Sequence, residues 1–183
     1  MSTSSLSPLE KLQAQRIERF LQAFGWFTDR FHLNVGPIVE MDYLRSLPPG
    51  SLGHTWAAHL DANGLQPFVQ GPRRQQLHDG VHVLTGYGTD AVGEAAVQAF
   101  LLGAKFRPIH ILIGLGLLGG IQRQRRQQLL AISSAEVRSH LTAAYQRGRN
   151  AHFDPDTWRP EQLWEQPLID VQIAFGLSNH HAP

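Results

Sequence analysis

The sequence contains no cysteine. That excludes disulfides, a thiol nucleophile, a cysteine-held iron–sulfur cluster and a cysteine zinc finger. Any metal must be held by nitrogen and oxygen donors, and ten histidines make such donors available. Lysine is nearly absent: Lys11 and Lys105 are the only two among 16 basic residues. Charge of either sign is sparse, at 17% of residues against an average of about 25%. The formal net charge of +1 supplies no global field to recruit nucleic acid, and no nucleic-acid partner is expected. Low charge with 42% hydrophobic content excludes a disordered chain. The 183 residues predict one domain over 1–183, with 1–6 and 178–183 as flexible tails.

A long apolar run is also missing. The longest, Ile109 to Ile121, holds one histidine and four glycines in 13 residues, short of the about 20 that span a bilayer core. The N-terminus lacks the basic start and apolar stretch of a secretory signal. Its serine-rich pattern resembles a transit peptide, but Glu10 and Glu18 oppose that reading.

What remains is helical periodicity, with no useful β-alternation, and the fold class is all-α. Helices are predicted from about Ser7 to Phe24, Ile38 to Ser46, Leu52 to Leu60, Pro72 to Thr85, Asp90 to Leu102, through the apolar run, Ser134 to Arg149, and Leu168 to Leu177. LPPGSLG (Leu47–Gly53) and GYGTD read as turns, and Trp158 and Trp164 as packing anchors.

The chemistry concentrates in HDGVH, eleven further residues, and a glutamate: His78, Asp79, His82 and Glu94. On a helix, His82 lies at about 40° and Asp79 at about 100° from His78, within one quadrant. Glu94 follows the glycine-containing turn, six residues after Gly88, as His82 lies six before it. An antiparallel helical hairpin would bring both to one height. Two imidazoles and two carboxylates there suit a divalent ion, with zinc, iron(II) and manganese all compatible. His54 and His59, five apart, are poorly spaced for ligands and read as solvated or core residues; His180 and His181 belong to the tail. Arg73 and Arg74, one turn before His78, suit either an anion near the metal or surface ion pairs.

The apolar run is expected to be a helix with one face in the core. Leu112, Leu115, Leu117 and Leu118 cover more than one stripe, so Leu112, Leu115 and Leu118 are candidates to meet a lipid tail or bilayer. Gly114, Gly116, Gly119 and Gly120 would leave a groove. Arg123, Arg125 and Arg126 follow directly, and Arg123 and Arg126 are candidates for headgroup contact. The competing reading buries this helix in a dimer interface.

Four segments carry a family resemblance: LPPGSLG, LHDGVHVLTGYGTDAVGE, the glycine-containing apolar run, and TWRPEQLWEQPLIDVQIAFGL. From about Leu44 to Leu177 the chain resembles the coenzyme Q (ubiquinone) biosynthesis protein 4 family, whose signature is His-Asp-x-x-His, eleven residues, Glu. The resemblance implies an all-α homodimer with zinc at His78, Asp79, His82 and Glu94. It implies a peripheral membrane protein, on the cytoplasmic side in a bacterium or the mitochondrial inner membrane in a eukaryote. Its implied partners are polyprenylated ring precursors and other quinone-biosynthesis proteins. One departure stands out: where the family often has Arg-Tyr-Arg-Glu, this chain has Arg73, Arg74, Gln75 and Gln76.

Three functions compete. The first is metal-dependent removal of the ring carboxyl group from a prenylated precursor (oxidative decarboxylation). The second is a non-catalytic prenyl-lipid scaffold for a biosynthetic complex. The third is a His-Asp metal phosphohydrolase, which would recruit His54 and Asp154 or Asp170 but leave Glu94 without a role.

Overall fold

The computed structural model describes residues 35–127 and 131–177. The helix expected from Ser7 to Phe24, both expected tails, and His180 and His181 lie outside the described residues. Among those described there are eight α-helices and one 3-10 turn, Pro160–Gln162, and no strand. The helices are α1 (Met41–Ser46), α2 (Leu52–Asn63), α3 (Arg73–Gln76), α4 (His78–Thr85), α5 (Ala91–Ala104), α6 (Pro108–Arg126), α7 (Ser134–Asn150) and α8 (Leu168–Ala174). The all-α class is borne out.

Several boundaries differ from expectation for local reasons. The helix expected from Ile38 begins at Met41, after an extended Glu40 (φ −108°, ψ 101°), and the Ile38 amide donates to the side chain of Gln76 at 3.0 Å. The helix expected over Pro72–Thr85 is two helices, divided at Leu77 (φ −87°, ψ −5°), where no proline or glycine marks the break. α2 runs past Leu60 to Asn63 and is closed by Gly64, whose φ of 63° suits the left-handed cap. α7 begins at Ser134 as expected and is capped by Ser133 in a capping box with Glu136. α8 stops three residues short of Leu177, ahead of Gly176 at φ 70°.

The core is built on Trp56 of α2, which is fully buried. It stacks on Trp158 (5.9 Å between centroids) and meets Trp164 edge-on (5.1 Å), so both expected anchors do anchor. Gly80 of α4 lies against the Trp56 indole so closely that a Cβ there would overlap it. α5 packs along α7 and α6, and touches α4 only sparingly, so α4 and α5 do not form the lengthwise-packed hairpin expected of them. The close approach of α5 to α7 runs over Gly103 and Gly148, where an added Cβ would meet facing backbone atoms. Chain-distant backbone bonds complete the start of α2: Leu52 N–H donates to Gln166 O (2.8 Å) and Gly53 N–H to Trp164 O (2.9 Å). These satisfy donors that a helix N-terminus otherwise leaves unpaired.

Candidate metal centre

α4 ends at Gly86, whose φ of 77° turns the chain back over the helix. The turn presents the Tyr87 carbonyl to Nδ1 of His82 at 3.1 Å. A carbonyl only accepts, so the proton of a neutral His82 resides on Nδ1 and its Nε2 carries the lone pair. That Nε2 is buried and has no hydrogen-bond partner. It lies 3.3 Å from Oε1 of Glu94, a separation within reach but not aligned for a hydrogen bond. His78 Nε2 lies 3.5 Å from the other oxygen of the same carboxylate. One ligand atom each from His78, His82 and Glu94 lies within 4.8 Å of the others.

The turn from α4 to α5 therefore brings Glu94 to both histidines even without hairpin packing. Asp90 caps α5 by accepting from the amides of Val92 and Gly93, which fixes where the first turn, and so Glu94, begins. Asp79 does not join the three; its carboxylate lies 3.6 Å from His78 Nδ1, on the far side of that ring. Neutral imidazole lone pairs facing a carboxylate repel it, and positive charge between them relieves the repulsion. Burial opposes a charged His82, but Glu94 and the Tyr87 carbonyl outweigh it, and the ring's pKa lies above its ordinary value. The donor set is the nitrogen–oxygen set that zinc, iron(II) or manganese accept.

Sequence reasoning did not single out His59 as part of this site. Its ring stacks on His82 (5.9 Å, 18° between planes), and its buried Nε2 also lacks a partner. Burial, and next the neighbouring His82, push its pKa down. No signal at the His54–His59 spacing reveals this, because the approach depends on α2 meeting α4 through Trp56 and Gly80. His54 stays outside the cluster, Asp154 is engaged by Lys105 (2.7 Å), and Asp170 is exposed, so the phosphohydrolase ligand set does not assemble.

Arg74 points at His110 of α6: Nη2 donates to Nε2 at 3.1 Å, while His110 Nδ1 donates to Gln98 at 2.8 Å. Burial, then Arg74 and Arg107, lower the His110 pKa to about 4. Arg73 instead pairs with Glu161 at 2.6 Å. Gln76 is buried and donates to the carbonyls of Val35 (3.0 Å) and Gly71 (3.3 Å) while accepting from Ile38. The amide thus plays a donor role that a glutamate carboxylate cannot.

On α6, Leu112 and Leu115 are 63% and 62% exposed, Leu118 37%, while His110 and Ile121 are buried. Added Cβ atoms at Gly114, Gly116, Gly119 and Gly120 would meet nothing. Arg123 and Arg126 are exposed; Arg125 is tied to the Ile132 carbonyl at 2.7 Å. Between α5, α6 and α7 runs an open groove of about 660 Å³, lined by Leu118, Ile121, Val137, Leu141 and Tyr145 among others. It shares no residue with the histidine–glutamate cluster. Among the described residues, no helix is long and apolar enough to cross a membrane.

A helical scaffold that sets two imidazoles and a carboxylate at one point defines an all-α protein with a candidate metal centre. Residues 27–180 match the family described as Coenzyme Q (ubiquinone) biosynthesis protein Coq4, and the chain belongs to that family. A rat relative, "Ubiquinone biosynthesis protein COQ4 homolog, mitochondrial", is 32% identical over 154 residues, covering 76% of this chain and 55% of that one. The human relative of the same description is 29% identical over 164 residues with the same coverage. The chain thus spans about half the length of these curated relatives. A crystal structure of a Nostoc punctiforme protein shares the fold, with a TM-score of 0.63 at 21% identity, over 76% of this chain and 69% of that one.

Proposed function

We propose that this chain serves ubiquinone or related prenyl-quinone biosynthesis by binding a divalent cation and the head group of a polyprenylated ring precursor, whose ring carboxyl group leaves as carbon dioxide in an oxidation driven by an oxidant from outside the chain, such as dioxygen. The supporting observation is the buried, unpartnered Nε2 of His82 facing Glu94, with the opposite ring nitrogen engaged by the Tyr87 carbonyl. His78, His82 and Glu94 would hold the cation, with Asp79 the adjoining carboxylate that orients His78. The cation, when bound, supplies a fixed positive charge that binds and polarises a ring carboxylate or hydroxyl. His82 keeps its lone pair aimed inward because its proton is committed to the Tyr87 carbonyl. The exposed leucines of α6 and the adjacent groove support a prenyl-tail or membrane-surface role for that helix.

The test is elemental analysis of purified protein beside His82→Ala. The wild type is expected to carry near-stoichiometric metal and the variant little, with equal helicity by circular dichroism. Equal metal content in the two proteins would defeat the assignment.

A further inference from the structure

We propose that His59 is a positioning residue for the non-protein ligand of the cation, an oxygen or nitrogen group such as water or a ring oxygen of the substrate; this rests on the metal reading above. Three observations converge on it. The Nε2 of His59 is buried without a partner, as is that of His82. The two rings are stacked at 5.9 Å. Yet His59 stays outside the group of atoms, from His78, His82 and Glu94, that are close enough to share an ion. A site with three protein ligands leaves coordination positions to be filled from outside the protein. A buried imidazole nitrogen needs a partner, and such a ligand would supply one. The imidazole serves as donor or acceptor according to its tautomer. Its position is set by the core: α2 is seated by Trp56 against Gly80, and Leu60, next in sequence to His59, is fully buried.

The test uses tag-free protein titrated with cobalt(II) and then with azide, followed by visible absorption. Wild type, His59→Phe and His59→Gln are each expected to bind one cobalt ion. His59→Phe, which preserves a flat ring against His82, should shift the cobalt bands and weaken azide binding about tenfold, the loss of one hydrogen bond. His59→Gln, which keeps a donor and an acceptor, should recover most of that loss. Bands and azide affinity unchanged in His59→Phe overturn the proposal. So does a folded His59→Phe that takes up no cobalt, which would make His59 a direct ligand. Equal deficits in the Phe and Gln variants overturn it as well, since packing would then be the cause. A folded wild type that takes up no cobalt defeats the metal reading itself, and this proposal with it.

Discussion

The Nδ1 of His82 and the carbonyl of Tyr87 lie 3.1 Å apart across the left-handed Gly86. The end of a helix thereby fixes the tautomer of a ring on its own last turn. The unprotonated nitrogen is delivered to Glu94 without help from any other side chain.

The two carboxylates near His78 should differ in weight. Glu94→Gln removes a charge from within the cluster and is expected to abolish most metal binding. Asp79→Asn removes one that lies outside the cluster, 3.6 Å from His78 Nδ1, and should weaken binding about 10- to 100-fold, as outer-sphere partners do. Isothermal titration of the apo-proteins with zinc checks the order; an Asp79→Asn variant as empty as Glu94→Gln would make Asp79 a direct ligand.

Gln76→Glu should destabilise the protein by about 2 kcal/mol, because a buried carboxylate would face the carbonyls of Val35 and Gly71 with no proton to give. At roughly 2–4 °C per kcal/mol, thermal unfolding should shift down by about 4–8 °C at pH 8. A smaller shift near pH 5, where the carboxyl begins to regain a donor, is the accompanying sign.

His110 predicts a pH slope. Its pKa is about 4 in the fold against an ordinary 6.5, so between those values the unfolded chain binds the extra proton. Its contribution is present above pH 6.5 and is lost as pH falls toward 4. His82, whose pKa is raised, contributes the opposite slope, since its stabilisation is lost as pH rises through its folded pKa. Urea unfolding of metal-free protein at pH 7 and pH 5 should therefore show a smaller drop for His110→Gln than for wild type. Identical drops would remove His110 from the account.

On α6, Leu115→Glu falls at a 62% exposed position and should leave helicity and unfolding temperature unchanged. Sedimentation with anionic vesicles is expected to decline in this variant. Retained vesicle binding with a lost dimer would instead assign the face to subunit contact.

The histidine–glutamate cluster was legible because its geometry is nearly local: two residues a turn apart on one helix and a third across a short glycine turn. Asp79 shares their arc by periodicity, but only a three-dimensional path shows its carboxylate turned to the other side of His78. His59 and Tyr87 were not legible. One arrives through the packing of α2 on α4, and the other acts through its main chain, which carries no residue signature. The exposed stripe of α6 could be read from composition, since four leucines exceed one core-facing stripe. The division at Leu77 could not, because no proline or glycine marks it.

The hydrogen bonds from Leu52 and Gly53 to residues 166 and 164 bear on the order of assembly during synthesis. By the time Glu94 has left the ribosome, all three cluster residues have been made. The floor beneath them has not: Trp56, on which α4 rests, awaits Trp158 and Trp164, and the first amides of α2 await the same segment. Metal capture should thus follow translation of the last third of the chain rather than accompany the histidines. A fragment ending at Asn150 should neither hold metal nor resist protease, although every cluster residue is present in it.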